Sequence, residues 1–330
     1  MELLRVGIVG TGYAAKKRAE AIVNDPRAIL VSVTGSNRER AQEFANQFKI
    51  NAVDSWQELV NQVDLDLVFV CTVNGEHGAI ALAALESNKH VVVEYPLALN
   101  YTEAAAIISL AKEKQKLIHV EHMEILGGLH QAIKEYLPKI GQVFYARYQT
   151  IAPQKNATRN WKYHQLMFGF PLNAALSRIH RLTDLFGEVD SVFCQNRYWG
   201  VEETDYFTAC LCNAQLAFVN GIVAEVSYGK GNVFRWGQRI LEIHGDRGVL
   251  LFEGEKGRLI CDDENTSISV MSRRGLFAKD TTMVFDYLLE NQSLYVQPSA
   301  SLYATLVADA AKKSAETSQL VILPRNNYEA

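Results

Sequence analysis

Short apolar runs and helix-compatible stretches alternate along the first 125 residues. LLRVGIVG is an apolar run closed by glycine, and AAKKRAEAIVN follows it. ILVSVTG and RERAQEFANQF repeat the pair, and SWQELVNQ adds a short helix. LDLVFVCT then precedes EHGAIALAALES, HVVVEYP precedes TEAAAIISLAKEK, and KLIHVE ends the series. Short apolar strands separated by helices predict a parallel sheet covered on both faces, with right-handed crossovers. After Gly141 the period changes. VFYARYQTI reads as a long strand, and LNAALSRIHRLTDLFG as one helix. VDSVFCQNRYW, DYFTACLCN, AQLAFVNGIVAEVSY, GQRILEIHG, GVLLFEG, RLICDD and SISVMS follow with turns such as CNAQ and GDRG, which predicts a meandering antiparallel sheet. Helices over Thr281–Glu290 and Ser299–Ala315 finish the pattern.

The expected fold class is therefore a Rossmann-type α/β domain with a doubly wound parallel sheet, followed by an α+β domain with a large, open, mostly antiparallel sheet. The boundaries expected are 1–125 for a nucleotide-binding domain and 126–330 for a substrate domain, and the C-terminal helices can pack back on the first domain.

Composition changes little in this picture. A length of 330 residues suits two domains, and a formal net charge of −4 gives no electrostatic reason to expect nucleic acid. No apolar run reaches the roughly 18 residues a membrane helix needs. MELLRVGIVG carries no charged leader or cleavage site, and the five cysteines are odd in number and scattered through strand-like runs. Reduced thiols in a cytoplasmic protein are the expectation. Oligomeric state is not readable.

GIVGTGYAA supplies a dinucleotide fingerprint between the first strand and first helix. Gly10 allows the sharp turn, Gly12 allows close approach to a pyrophosphate, and Ala15 stands where a third glycine would pack helix on strand. Tyr13 and Ala14 open the helix whose N–H groups meet the phosphates. At the end of the second strand, Gly35 occupies the usual acid position, followed by Ser36, Asn37 and Arg38. No carboxylate there repels a 2′-phosphate, and Arg38 or Arg40 could pair with one, so NADPH is favoured over NADH.

Ligands of such sheets bind outside the carboxyl ends of the strands. Three ends carry candidates here: Thr72, Val73, Asn74 and His77; Glu94 and Tyr95; and Glu121, His122 and Glu124. His119 and His122 form H-x-x-H, but on a strand they point to opposite faces, so no metal is expected.

KHVVVEYPLAL, the glycine motif and TVNGEH together resemble the glucose–fructose oxidoreductase and inositol dehydrogenase family over the whole chain. In that family the strand ends Glu-Lys-Pro, whose lysine serves a hydroxyl–carbonyl interconversion; here it is Tyr95. The Asp–His pair the family carries four residues apart on a helix is replaced by Asn173 and Ser177. Glu94-Tyr95-Pro96, Glu121-His122 and FGFPLNAALSRIHRLTDLFGEV, with Ser177-Arg178, are similar to the family's bilin-reducing branch. The resemblance implies NADPH-dependent reduction of biliverdin to bilirubin: hydride to the central methine carbon and a proton to a pyrrole nitrogen. Tyr95, Arg178, Glu121 and His122 are then the catalytic candidates. A phenol, with an ordinary pKa near 10, stays protonated at neutral pH and can donate.

Biliverdin is planar and carries two propionates, which calls for cations and stacking surfaces. Arg147, Arg159, Lys162, Arg178, Arg181, Arg235 and Arg239 supply the cations, with His180 as a reserve contact. Tyr145, Trp161, Tyr228, Phe234 and Trp236 supply rings. Two other readings remain at this stage: a sugar, cyclitol or imine oxidoreductase of the same family, and a regulator that senses NADP without turnover.

Overall fold

The computed structural model describes residues 3–155, 159–201, 203–262 and 264–325. The chain divides into two compact units, one running to Leu126 and taking in Arg274–Leu302, the other holding Gly127–Arg273 and the chain from Tyr303 onward.

In the first unit, β1 (Leu4–Val9), β2 (Ala28–Thr34), β3 (Asn51–Ala52), β4 (Leu67–Val70), β5 (His90–Val93) and β6 (Ile118–Val120) form one sheet in the order β3-β2-β1-β4-β5-β6. Every pairing in it is parallel. The connections are α1 (Tyr13–Val23), α2 (Arg38–Phe48), α3 (Trp56–Val60), α4 (Asn74–Glu86) and α5 (Tyr101–Glu113), and α6 (Met123–Leu126) follows β6. The strands read as unbroken apolar runs because both faces are buried. Leu67, Phe69 and Val92 enter a core with Ala15, Ala19 and Ile22 of α1. Val68, Val70, Val91 and Val93 point the other way, into a core with Ile80 of α4 and Ile107 of α5.

The second unit begins with α7 (Gly128–Tyr136) and β7 (Val143–Pro153), then α8 (Gln165–Phe168), α9 (Pro171–Ala174) and α10 (Ser177–Phe186). Its sheet adds β8 (Val189–Trp199), β9 (Ala209–Phe218), β10 (Val223–Gly231), β11 (Gln238–Gly245), β12 (Gly248–Glu253), β13 (Lys256–Cys261) and β14 (Glu264–Ser269). The chain ends with α11 (Leu276–Glu290), α12 (Pro298–Thr317) and β15 (Val321–Ile322). The sheet order is β14-β13-β12-β11-β7-β10-β9-β8-β15. It is mixed but mostly antiparallel, with β7 and β10 paired in parallel.

Three local readings are corrected. CNAQ is not a turn: β9 runs straight through it, because Cys210, Cys212, Ala214 and Leu216 keep one buried alternation. The reversal falls at Phe218–Ile222, where Gly221 is left-handed. LNAALSRIHRLTDLFG is two helices, broken at Ala175 and Leu176. Alanine and leucine favour helix, so tertiary contacts impose the break. α11 starts at Leu276, after a left-handed Gly275, five residues before the position expected from its apolar period. Among the described residues, no helix is long and apolar enough to cross a membrane.

Candidate active site

The glycine loop of the first unit has two different reasons for its glycines. Gly10 has φ +127°, and a Cβ there would lie 2.3 Å from the Cys71 carbonyl oxygen, so the protein itself demands glycine. Gly12 has an ordinary φ of −79°, and a Cβ there would meet nothing within 4 Å. Packing does not explain that glycine, whereas close approach of a ligand backbone does. Gly12 gives α1 no side-chain cap, so the first-turn N–H groups of Tyr13, Ala14 and Ala15 are available to an anion. Tyr13 is exposed, edge-on to Phe277 at 5.9 Å.

Asn37 caps α2 by accepting from the Arg40 N–H at 2.9 Å. Ser36 and Arg38 are exposed, and Arg38 makes a 3.4 Å contact with Asp54. After β4, α4 also begins without a side-chain cap at Val73. The buried Thr72 Oγ1 has no hydrogen-bond partner among the described residues. Bare helix starts, an unexplained glycine and an orphaned hydroxyl at the carboxyl ends of β1 and β4 fit a dinucleotide.

Within this unit the ends of β4, β5 and β6 are tied together. His77 Nδ1 lies 2.8 Å from the Pro96 carbonyl, and Nε2 lies 3.3 Å from that of Thr72. Burial holds the ring below its ordinary pKa, and a neutral imidazole has one N–H, which the shorter contact takes. Asn74 beside it is buried at the start of α4. His77 thus clamps the loop after β5 to the loop after β4. The Tyr95–Pro96 peptide is cis, and the half-buried Tyr95 ring stacks on His122 at 5.8 Å and 10°. His122 is itself buried, with Nε2 2.9 Å from Ser301 Oγ.

Behind Tyr95 lies a charge cluster that residue order had hidden. Arg18, on the apolar stripe of α1 with Ala15, Ala19 and Ile22, is fully buried. Its Nε donates to Glu94 Oε1 at 3.0 Å, and its Nη1 donates to Asp280 Oδ2 and Thr281 Oγ1. Asp280 Oδ1 also meets His119 Nε2 at 2.9 Å and accepts from the Tyr295 hydroxyl at 2.7 Å. Burial would raise the Asp280 carboxyl, but Arg18 and His119 hold it well below the usual carboxylate range. Glu121 responds the other way. Burial, with Glu94 and Asp280 nearby, pushes its carboxyl well above the ordinary value. Glu121 accepts from the Met123 N–H and is interior, as are Glu124 and His122. Glu121 and His122 are thus buried beside the Glu94–Tyr95 loop, with the His122 ring stacked on Tyr95.

In the second unit, Thr150 of β7 pairs across the sheet with Tyr228 of β10 and Arg239 of β11, so these side chains share a face with Tyr148. Arg178, in the first turn of α10, lies on that face. Its Nε reaches Thr150 Oγ1 at 3.4 Å, and its guanidinium lies 5.6 Å from the Tyr228 ring and 6.0 Å from that of Tyr148. The cations expected for substrate now separate. Arg178 is half-buried and Arg239 is half-buried on the same face. Arg147 points to the opposite face and pairs with Glu242 at 2.9 Å. Arg181 is fully buried and donates to the Tyr148 hydroxyl at 2.9 Å. His180 is buried, and burial lowers its pKa to about 4. Trp161 is half-buried against Phe168 at 6.4 Å, and Arg235 is exposed, donating to the Asn232 carbonyl. Asn173 donates to Asp309 at 3.0 Å, and Ser177 Oγ accepts from Arg178 at 3.0 Å. Neither forms an acid–base pair.

Two family profiles match this chain: an oxidoreductase family's NAD-binding Rossmann fold over residues 4–122, and the same family's C-terminal alpha/beta domain over 134–323. The chain belongs to the GFO/IDH/MocA oxidoreductase family. Biliverdin reductase from Synechocystis sp. PCC 6803, solved in complex with biliverdin and NADP+, is 54% identical, with a TM-score of 0.93 over 95% of this chain and 99% of that one. Mouse (Mus musculus) biliverdin reductase A is 25% identical over 187 residues, 57% of this chain and 59% of its own length. The chain thus spans 41 to 60% of the length of the first curated relatives it matches. Levoglucosan dehydrogenase, at 20% identity and a TM-score of 0.83, shares the fold.

Proposed function

We propose that this protein is an NADPH-dependent biliverdin reductase. The observation that carries the reading is 54% identity across 95% of the chain with an enzyme solved with biliverdin and NADP+. The reaction joins biliverdin, NADPH and one proton to give bilirubin and NADP+. NADPH, when bound, supplies the hydride that reaches the central methine carbon. Gly10, Gly12, Ala15 and the bare start of α1 would hold its pyrophosphate, while Ser36, Asn37 and Arg38 suit a 2′-phosphate.

The remaining work is a proton and an orientation. Tyr95 is the proton donor or the group that positions it, its ring plane set by His122 and its loop by His77 and the Arg18–Glu94 pair. Arg178 orients the pigment or passes a proton inward from water. Arg239, on the same face of its sheet, suits a propionate. Asn173 and Ser177 supply neither the acid nor the base that oxidation of a sugar hydroxyl needs. We place the protein in the cytoplasm, where its five cysteines stay as the free thiols they are here.

The test is optical. Protein mixed with NADPH and biliverdin should bleach the long-wavelength pigment band while a shorter-wavelength band rises. NADPH that binds but stays unconsumed with every open-chain bilin would instead favour the sensing role. Tyr95→Phe should lower turnover by about a hundredfold with pigment binding retained, within the usual range for a lost proton-transfer group.

A further inference from the structure

Lys230 is a buried charge that none of these roles uses. It lies on β10 two residues beyond Tyr228, on the same face, and pairs in register with Ala152 and Cys210. Its Nζ stands 3.3 Å from the centroid of Phe168, 4.7 Å from Tyr163 and 5.4 Å from Phe207. It donates to the Lys162 carbonyl oxygen. Among the described residues no carboxylate pairs with it. The titratable groups facing it are the Cys210 thiol on β9, the Tyr163 and Tyr198 phenols, and the Lys162 ammonium. Burial pushes the Cys210 thiol up to about 11 and raises both phenols, and proximity to Lys162 further disfavours a second charge at Lys230. Burial draws Lys230 down to about 8.

An ammonium without a counter-ion costs folding free energy, and methionine would fill the same space without that cost. What the charge supplies is attraction to aromatic faces. Phe168, the closest of them, stacks with Tyr228 at 6.5 Å and 27°, and the Arg178 guanidinium lies 5.6 Å from that same Tyr228 ring. Lys230, Phe168, Tyr228 and Arg178 form a continuous ladder.

We propose that Lys230 is a positioning residue which, through Phe168 and Tyr228, fixes where the Arg178 guanidinium lies. The inference rests on the part given to Arg178 above. Lys230→Met should keep or raise Tm, because it removes a buried charge and retains the stem. It should shift the Nε–H NMR signal of Arg178. Turnover of biliverdin should fall about tenfold to a hundredfold, mainly in kcat. Wild-type turnover should decline on the alkaline side near pH 8 as Lys230 loses its proton, and the variant should lack that limb. In an Arg178→Ala background, Lys230→Met should cost nothing more. Unchanged turnover, an unchanged alkaline limb, or a full additional loss beside Arg178→Ala overturns the proposal. If Lys230→Met does not fold, Phe168→Leu cuts the ladder while leaving the lysine. The same coupled loss then supports the proposal, and wild-type turnover sinks it. A wild type that leaves biliverdin unreduced defeats the functional reading instead. In that case the Arg178 NMR signal decides: the ladder stands if the substitution moves it and falls if it does not.

Discussion

Arg18 in the first unit and Lys230 in the second are both buried, and they are held in opposite ways. Arg18 in the first unit has Asp280 and Glu94 within hydrogen-bond reach, a threonine hydroxyl, and two rings at 5.1 and 5.4 Å. Burial would lower its pKa, yet the two carboxylates hold the guanidinium well above its ordinary value. Lys230 in the second unit has three ring faces and one carbonyl. A guanidinium offers five donors in a plane and can satisfy several acceptors at once, which suits a hub joining α1, the end of β5 and α11. An ammonium is a point charge, and without an anion it relies on ring quadrupoles. The paired charge is part of the scaffold behind Tyr95, and the unpaired one is a cost that stability alone does not explain.

Breaking the paired cluster should have the largest effect. Arg18→Met leaves Asp280 and Glu94 without their cation, and the expected loss is about 3–5 kcal/mol of unfolding free energy, read from urea denaturation at pH 7. Next in size is Arg178→Ala, which should reduce biliverdin turnover about a hundredfold, equivalent to ~2.7 kcal/mol, while NADPH affinity stays the same. A comparable loss of NADPH binding would show that the lesion is not confined to the pigment side.

The contrast is sharpened by pH. The folded-state pKa of Asp280 is depressed, so its contribution is present above the ordinary carboxylate value near 4 and drains away as pH falls through the folded value. Acid unfolding of the wild type should therefore be steeper than that of Asp280→Asn. Lys230 acts with the opposite sign. Between about 8 and its ordinary 10.5 the unfolded chain binds more protons, so stability from this group rises with pH. The stability difference between wild type and Lys230→Met should narrow across that window, and a constant difference would show that the fold leaves the titration of this lysine unshifted.

The smallest effect on stability is expected at Gly12. With an ordinary φ and open space around it, Gly12→Ala should change unfolding free energy by no more than about 0.5 kcal/mol. NADPH affinity, measured by fluorescence titration, should nonetheless fall. Retained affinity would mean that no ligand backbone passes there.

Arg18 and Lys230 each had a trace in the sequence. Ala15, Arg18, Ala19 and Ile22 fall at i, i+3, i+4 and i+7 and make one helical stripe, which places the arginine on the interior side. Lys230 follows Ala224, Val226 and Tyr228 in strict alternation. What no local pattern supplied was the partner. Asp280 lies 262 residues from Arg18 and Phe168 lies 62 before Lys230, and nothing in either neighbourhood names the other. The same limit explains why Arg181 read as a substrate contact. A helix with Arg178 and Arg181 three apart presents both on one side, and only the packed Tyr148 hydroxyl distinguishes the sealed residue from the accessible one.

Residue order alone was enough for the alternation of strand and helix, the glycine turn at the first β-strand, the missing acid after the second, and Tyr95 at the mouth of the fifth. Those features depend on periodicities of two and 3.6 residues and on the stereochemistry of single residues, which act over a few positions. The break between α9 and α10, the straight run of β9, the Arg18 hub and the Lys230 cage depended on the folded chain. Burial and counter-ions are properties of neighbours in space, and a short window of sequence does not contain them.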